Sequence, residues 1–186
     1  MVKYTLMDKR GIHRMETERK FLLGKLPENL SAYKKKEIEQ GYLCTNPVIR
    51  IRKSNEDYYM SYKARVKNMA ASTVALVCEE AEFPLTREAY YHLREKVDMR
   101  LITKTRYLIP LSDGLMAELD IFEGELKGLV FAEVEFKSEE EAKAFKLPDW
   151  FSEEVTFDDR YKNNVLAMTV NLEELNLNLK KKESAS

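Results

Sequence analysis

The sequence predicts an α+β fold in which about eight antiparallel strands close into a barrel that forms a charged tunnel, with helices packed outside it. Three observations support this prediction. Several segments alternate charged and apolar residues with the two-residue period of β-strands. Helical segments interrupt the strands in irregular order, as in α+β domains with an antiparallel sheet. The apolar strand faces need cover, which amphipathic helices can supply from the outside of a curved sheet.

Seven segments fit the strand alternation: residues 15–23, 48–53, 58–66, 74–83, 104–109, 115–122 and 130–136. We expect an eighth strand around residues 41–46 or in the N-terminal extension, because a barrel of about eight strands has room for a small ligand. Domain boundaries are predicted as an extension (1–14), one barrel domain (15–179) and a disordered tail (180–186). The extension is an extra strand, a cap on the tunnel or disordered.

Four helices are predicted, over residues 27–40, 86–97, 138–145 and 161–179. The first begins with Pro27 and Glu28, which suit a first turn. Thr86 is a candidate N-cap of the second helix. Ser138 and Glu141 have the spacing of a capping box at the start of the third. The fourth carries a long amphipathic pattern and is expected to pack against the barrel.

The composition limits the class of protein and its partners. Hydrophobic residues make up 44% and charged residues 34% of the 186 residues, which indicates a soluble globular chain. The formal net charge of −1 argues against bulk attraction to nucleic acid or membrane, so no partner of either kind is predicted. No apolar run is long enough for a membrane helix or a secretory signal. Cys44 and Cys78 are expected to be reduced, in a cytoplasmic protein.

The charged strand faces are sorted by sign. The residues that share a face are Glu16, Glu18 and Lys20; Arg50 and Arg52; Glu80 and Glu82; Lys104 and Arg106; Glu118 and Asp120; Glu133 and Glu135. An ordinary half-buried sheet with its charged face in water is the simpler alternative. Like charges on one face repel, however, so repeated pairs of one sign favour a cation between the carboxylates and an anion between the basic groups.

These residue types indicate a metal-assisted phosphoryl-transfer site. Carboxylates without clustered His or Cys favour Mg²⁺ or Mn²⁺ over zinc. His13 and His92 are the only histidines, so a His-based zinc site is not expected. Arginine forks and lysine ammonium groups suit phosphate oxygens. With cations on one wall and metal-binding carboxylates on another, positioning and charge neutralisation would carry out most of the catalysis.

The segment METERKFLL, residues 15–23, contains the ExExK pattern, which is weak by itself. Further motifs follow it in order: QGYL at 40–43, RxR at 50–52, SYK at 61–63, ExE at 80–82, TKTRY at 103–107, ELD at 118–120, EVE at 133–135 and DRYKN at 159–163. Over residues 15–168 the chain resembles the CYTH superfamily, the triphosphate tunnel metalloenzymes. The runs QGYL, TKTRY and DDRYKN are most similar to those of small bacterial inorganic triphosphatases.

The resemblance implies a tunnel enzyme that takes a small-molecule triphosphate. The carboxylates that would hold Mg²⁺ or Mn²⁺ are Glu16, Glu18, Glu118, Asp120, Glu133 and Glu135. The basic residues that would bind phosphates are Lys20, Arg50, Arg52, Lys63, Lys104 and Arg106. The residues that would serve catalysis are Lys63, Tyr42, Lys104, Glu80 and Glu82. A pair like Tyr42 and Lys63 is proposed in related triphosphatases to assist proton handling. The alternative is that Lys63 binds phosphate and has no role in proton transfer. Glu80 and Glu82 would orient the cations or a second metal.

Several alternatives stay open at this point. Hydrolysis of tripolyphosphate is the first hypothesis, and thiamine triphosphatase and a class IV adenylyl cyclase are the enzymatic alternatives. Such cyclases usually carry His-Phe before ExExK, whereas this chain has His13 and Arg14. A polyphosphate-binding module without turnover is the third class. Intact Glu133 and Glu135 argue against it, because a pure binder needs cations more than metal ligands. The oligomeric state is left open between monomer and homodimer.

A few residues outside the main motifs have two interpretations. The lysine run 34–36 is predicted to be a solvated helix face rather than a partner site. Arg160 and Lys162 lie at the start of the predicted C-terminal helix, where cations oppose the helix dipole; a substrate-facing role is one interpretation, since a nearby phosphate would resolve the conflict. Trp150 and the residue after it are predicted to pack in the core. Cys78 stands where relatives often have a basic residue, which would remove one cation from the tunnel.

Overall fold

The computed structural model describes residues 12–65, 74–169 and 172–175. The strands in these ranges are β1 (Ile12–Leu23), β2 (Lys34–Thr45), β3 (Val48–Ser54), β4 (Asp57–Arg65), β5 (Leu76–Pro84), β6 (Ile102–Pro110), β7 (Met116–Phe122), β8 (Val130–Phe136) and β9 (Phe151–Glu154). Their order is β5-β4-β3-β2-β6-β7-β8-β1-β9, and β1 also pairs with β5. Eight strands therefore close into an antiparallel barrel, as predicted, and β9 is an additional strand.

Strand β1 closes the barrel because it pairs on both of its sides. Its first part pairs with β5 and its second part with β8, so that Glu18 lies opposite Leu76 on one side and Glu135 on the other. Neighbouring strands are connected by antiparallel pairing all round the barrel. Closure points the alternate residues of every strand into one shared interior.

The helices lie outside the barrel. They are α1 (Arg87–Arg94), which contacts β3 and β4, α2 (Glu139–Ala144), which contacts β1 and β8, and α3 (Asn163–Met168), which contacts β2 and β6. Thr86 caps α1, because its side chain accepts a hydrogen bond from the Ala89 amide at 3.2 Å. Ser138 caps α2 in the same way, and Glu141 accepts from the Lys137 amide at 2.6 Å. The predicted starts of these two helices are confirmed.

Two apolar clusters lie on opposite sides of the barrel wall. One packs outside it, where Phe21 stacks on Phe151 with ring centroids 4.7 Å apart and Trp150 is buried beside them. The other fills the interior at one end, where Phe122 and Phe131 pack 5.0 Å apart. The second cluster closes that end of the interior to water and leaves the charged residues in the remaining space.

The helix predicted over residues 27–40 is wrong. The chain forms one 3₁₀ turn, Leu30–Ala32, and then the twelve-residue strand β2, Lys34–Thr45. The strand predicted around residues 41–46 is the end of β2. Pairing of β2 with β3 on one side and with β6 on the other overrides the helical pattern. At Gly41 a Cβ would stand 2.6 Å from a Val97 methyl, so only glycine allows β2 to approach the chain after α1 so closely.

The long helix predicted over residues 161–179 is also wrong. Within the described residues this segment contains the 3₁₀ turn Asp159–Tyr161, the short helix α3 and the 3₁₀ turn Leu172–Leu175. The backbone of Lys162 is extended. The Tyr161 carbonyl accepts a hydrogen bond from Lys20 Nζ at 2.8 Å and not from the backbone of a continuing helix. The predicted extension begins to form strand at Ile12; residues 1–11 and the predicted tail, 180–186, lie outside the described residues. No helix in the described ranges is long and apolar enough to span a membrane.

Candidate active site in the barrel interior

The barrel encloses a cavity of about 1010 Å³ next to the apolar cluster that closes one end. Most of the predicted site residues line this cavity. The predicted residues that line it are Glu16, Glu18, Lys20, Tyr42, Arg50, Arg52, Lys63, Glu80, Glu82, Arg106, Glu118, Glu133 and Glu135. The structure thus brings together, in one space, side chains that are spread over about 120 residues of sequence. Lys104 and Asp120 do not line it.

Four carboxylates form an acidic wall on strands β1, β7 and β8. Glu18 lies directly opposite Glu135 across β1 and β8, and Glu118 lies directly opposite Glu133 across β7 and β8. Like charges in directly opposed positions destabilise a sheet unless a positive charge lies between or beside them. The acidic wall therefore requires a cation.

Part of that positive charge comes from neighbouring side chains. Lys20 Nζ lies 3.0 Å from Glu133, and Arg106 donates to Glu133 at 2.7 Å and also to Glu118. Burial alone would raise the pKa of Glu133, but Lys20 and Arg106 outweigh it and hold that pKa well below its ordinary range. Glu133 is therefore ionised at neutral pH.

Carboxylate oxygens are the hard donors that Mg²⁺ and Mn²⁺ prefer, so the acidic wall fits such an ion in chemistry and in the neighbouring positions of its members. As the side chains stand, no three His, Cys, Asp or Glu residues within 12–65, 74–169 and 172–175 converge closely enough to hold a metal ion. Glu118 and Glu133 are turned towards Arg106 instead. The acidic wall therefore supplies suitable metal ligands. The protein's own cations neutralise part of its negative charge.

The opposite side of the cavity is a basic wall on strands β3 and β4, made of Arg50, Arg52 and Lys63. Arg50 donates to Glu80 at 3.2 Å, and Lys63 Nζ donates to Glu16 at 2.6 Å. Since these carboxylates lie in the cavity, each cation is held in place by an ion pair that an incoming anion could replace.

Neutral groups hold the third member of the basic wall. Arg52 donates to the Gln40 side-chain oxygen at 3.2 Å and to the Tyr59 hydroxyl at 3.4 Å. The Gln40 amide nitrogen in turn donates to the Tyr42 hydroxyl at 3.1 Å. Arg52 is thus oriented without a carboxylate partner in these contacts, so its full charge is available to a bound anion.

Comparison with known proteins shows the family of this chain. No protein-family model matches the chain. An inorganic triphosphatase of Nitrosomonas europaea is 39% identical over 159 residues, which cover 83% of this chain and 98% of that protein. The chain belongs to the inorganic triphosphatases of the CYTH superfamily. An inorganic triphosphatase of Acetivibrio thermocellus is 34% identical over 129 residues, which cover 68% of this chain and 77% of that protein.

Solved structures support the fold of this CYTH protein. The crystal structure of an inorganic triphosphatase matches with a TM-score of 0.62 and 34% identity, over 91% of this chain and 99% of that one. A Hippeastrum protein reported to have a dominant triphosphatase activity matches with a TM-score of 0.50 over 69% of this chain and 82% of that one. At 17% identity, the second match supports the barrel alone.

Lys63 and Tyr42, the predicted proton-handling pair, have surroundings that favour their protonated forms. Burial alone would lower the pKa of Lys63, but the carboxylates of Glu18 and Glu16 outweigh it and raise that pKa well above its ordinary value. Burial raises the pKa of Tyr42. Of the two roles that the sequence allowed for Lys63, these neighbours favour the binding of phosphate.

Glu80 differs from the other carboxylates of the cavity. Burial raises its pKa to about 8, and a hydrogen bond with Glu16 and the charge of that residue act in the same direction. Arg50 opposes the shift. Glu80 and Glu16 are therefore interacting carboxyl groups next to the basic wall, while Glu82, half-buried, lines the cavity further along β5.

Lys104 and Asp120 lie behind the lining rather than on it. Their side chains are fully buried and form an ion pair of 2.5 Å. Asp120 also accepts two hydrogen bonds of 2.6 Å from Arg106. Burial lowers the pKa of Lys104 to about 8, with Asp120 acting against that shift. In this arrangement Asp120 orients Arg106, which itself lines the cavity.

Two cavity-lining lysines were assigned differently or left uncertain by the sequence. Lys36 lines the cavity from β2, although the run 34–36 was predicted to be a solvated helix face. Its alternation with Ile38 and Tyr42 was the signal that could have revealed it. Lys162 also lines the cavity, as its substrate-facing interpretation required, whereas Arg160 pairs with Asp158 at 2.6 Å and is exposed.

The cysteines have no partner thiol in the structure. Cys44 and Cys78 form no disulfide, and Cys78 is buried in the cavity lining opposite Glu16 of β1. A thiol therefore stands among the charged side chains at this point of the wall.

Proposed function

We propose that this protein is a tripolyphosphatase that uses Mg²⁺ or Mn²⁺ to hydrolyse inorganic tripolyphosphate inside the barrel. The observation that carries the proposal is the pair of opposed walls, acidic on β1, β7 and β8 and basic on β3 and β4, within one cavity. The relatives that are named inorganic triphosphatases support the choice of substrate.

The chain's own residues would bind the substrate by exchange of ion pairs. Arg50, Arg52 and Lys63 would donate to phosphate oxygens from the basic wall, and Lys20 and Arg106 from beside the acidic wall. Each of these cations would exchange its carboxylate or neutral partner for a phosphate oxygen. The phosphate would then compensate the charge of the cation. Lys104 would act through its buried pair with Asp120, behind the cavity lining.

The acidic wall would hold the metal. Its four carboxylates, with Glu16 beside them, are the residues we assign to Mg²⁺ or Mn²⁺, and Asp120 would support them from behind. When bound, such an ion neutralises phosphate charge and lowers the pKa of bound water. Glu80 would orient Arg50, and the buried aromatic cluster would keep bulk water out of the closed end.

The test is a substrate panel with purified protein. Phosphate release from tripolyphosphate is expected with Mg²⁺ or Mn²⁺, and EDTA is expected to abolish it. Absence of release with either metal between pH 7 and 10 would sink the proposal. Thiamine triphosphate and ATP belong in the same panel, because a cyclic product with pyrophosphate would indicate the cyclase, and tight binding without turnover would indicate a binding module.

Two further properties of the protein, its location in the cell and its oligomeric state, can be tested separately. Two cysteines that form no disulfide support a cytoplasmic protein, which fractionation of the source cells would check. A small-molecule triphosphate is the partner we propose. Size-exclusion chromatography with light scattering would decide between monomer and homodimer.

A further inference from the structure

Lys36 is a cation of the cavity that the substrate-binding residues above do not include. It lies on β2 directly opposite Arg106 of β6, and it lines the cavity together with Ile38 of the same strand. Its side chain is half-buried. Tyr42, near the other end of β2, belongs to the apolar cluster that closes one end of the barrel. Lys36 therefore lies away from the closed end.

Unlike most of the cavity cations, Lys36 has no carboxylate among the described residues that compensates its charge. Lys20, Arg50, Lys63 and Arg106 each form an ion pair with a carboxylate of the cavity. Lys36, by contrast, forms no ion pair or side-chain hydrogen bond within residues 12–65, 74–169 and 172–175. An ammonium group in a partly buried position gains most from an anion that enters the cavity.

The position of Lys36 extends the row of cations along the barrel. Gln40 lies opposite Arg52, and Lys36 lies four residues further along β2. Four strand residues span about 13 Å. Because the long Lys36 and Arg52 side chains cover only part of that distance, a longer chain of phosphates can contact both more readily than a short anion can.

We propose that Lys36 is a further substrate-binding residue, which donates to the phosphate oxygens nearest the open end and favours longer polyphosphates over pyrophosphate. The proposal rests on the proposed function, since it names a specificity residue of that site. It adds a contact for a linear polyanion and requires no new chemical step.

The experiment compares K36M with K35M. Lys35 is the matched control, because it is the next residue on β2, faces outward with 58% of its side chain exposed, and lies 3.3 Å from Glu37. Both variants lose one positive charge and keep a side chain of similar length. The measurements are tripolyphosphate and pyrophosphate binding by calorimetry, with and without Mg²⁺, and kcat and KM for tripolyphosphate. Thermal melting checks that all proteins are folded.

We expect K36M to bind tripolyphosphate about tenfold more weakly than wild type. KM should rise by a similar factor with kcat little changed, and pyrophosphate binding should change less. K35M should match wild type. Equal tripolyphosphate affinity of K36M and wild type overturns the inference, and so does an equal loss in K35M, which would indicate a general charge effect.

The calorimetry separates this inference from the proposed function. If wild type binds tripolyphosphate but releases no phosphate, hydrolysis is excluded while the affinities of K36M and K35M still decide the role of Lys36. If wild type binds no tripolyphosphate under either condition, both proposals are overturned.

Discussion

Replacement of Asp120 by asparagine tests the buried ion pair behind the cavity. Asp120 and Lys104 have no exposed side-chain surface, and Arg106 has 7%. Removal of one partner of a buried ion pair destabilises a protein by about 3–5 kcal/mol, because the remaining charge is left uncompensated. Glu133 and Glu118 still compensate Arg106, so we expect about 3 kcal/mol, at the lower end of that range.

Urea unfolding of metal-free protein measures this effect. With an m-value of about 2 kcal/mol/M, a loss of about 3 kcal/mol lowers the unfolding midpoint by about 1.5 M. D149N is the control, because Asp149 pairs with Lys25 at the surface, with 79% of its side chain exposed, and its loss should leave the midpoint unchanged. An unchanged midpoint in D120N would refute the reasoning. If D120N lost activity alone, Asp120 would be a metal ligand rather than a structural partner.

Three further predictions concern other parts of the molecule. E18Q should lower kcat about 100-fold or more, with no loss of Tm, because it removes a proposed metal ligand from a repulsive pair on the cavity wall. G41A should lower stability by about 1–3 kcal/mol in urea unfolding, because its Cβ would stand 2.6 Å from a Val97 methyl. E39Q should remove a pH-dependent part of the stability. The hydrogen bond from Arg94 lowers the pKa of Glu39 from its ordinary value of 4.5, so its contribution is present above that pH and is lost as pH falls through the lowered value.

Two of these predictions have a control variant in the same chain, and the third is compared with wild type over a range of pH. E135Q should resemble E18Q, and E37Q, on an exposed carboxylate, should keep normal kcat. G24A should be nearly neutral, since the nearest atom to its Cβ is 3.8 Å away. For E39Q, urea midpoints are compared with those of wild type from neutral to acid pH; a difference that stays constant below the ordinary pKa would contradict the explanation. A normal kcat in E18Q would show that Glu18 is not a metal ligand.

The sequence predicted most of the barrel and its lining because both depend on a local property. Successive side chains on a strand point to opposite faces, so Arg50 and Arg52 must share a face wherever the strand lies. The same rule could have placed Lys36 in the cavity. It was missed because Pro27 and Glu28 favoured a helix, while the pairing of β2 with both β3 and β6 stabilises a strand.

What the sequence by itself determined is which residues share a face, which signs of charge those faces carry, and the family that these motifs resemble. The tertiary structure alone decided which face meets which. The pairing of β1 with both β5 and β8 places Glu18 opposite Glu135, and burial selects Lys104 as the partner of Asp120 behind the lining. These relations join residues far apart in sequence, and they depend on strand register, barrel closure and the desolvation of particular charges, none of which is encoded in local alternation.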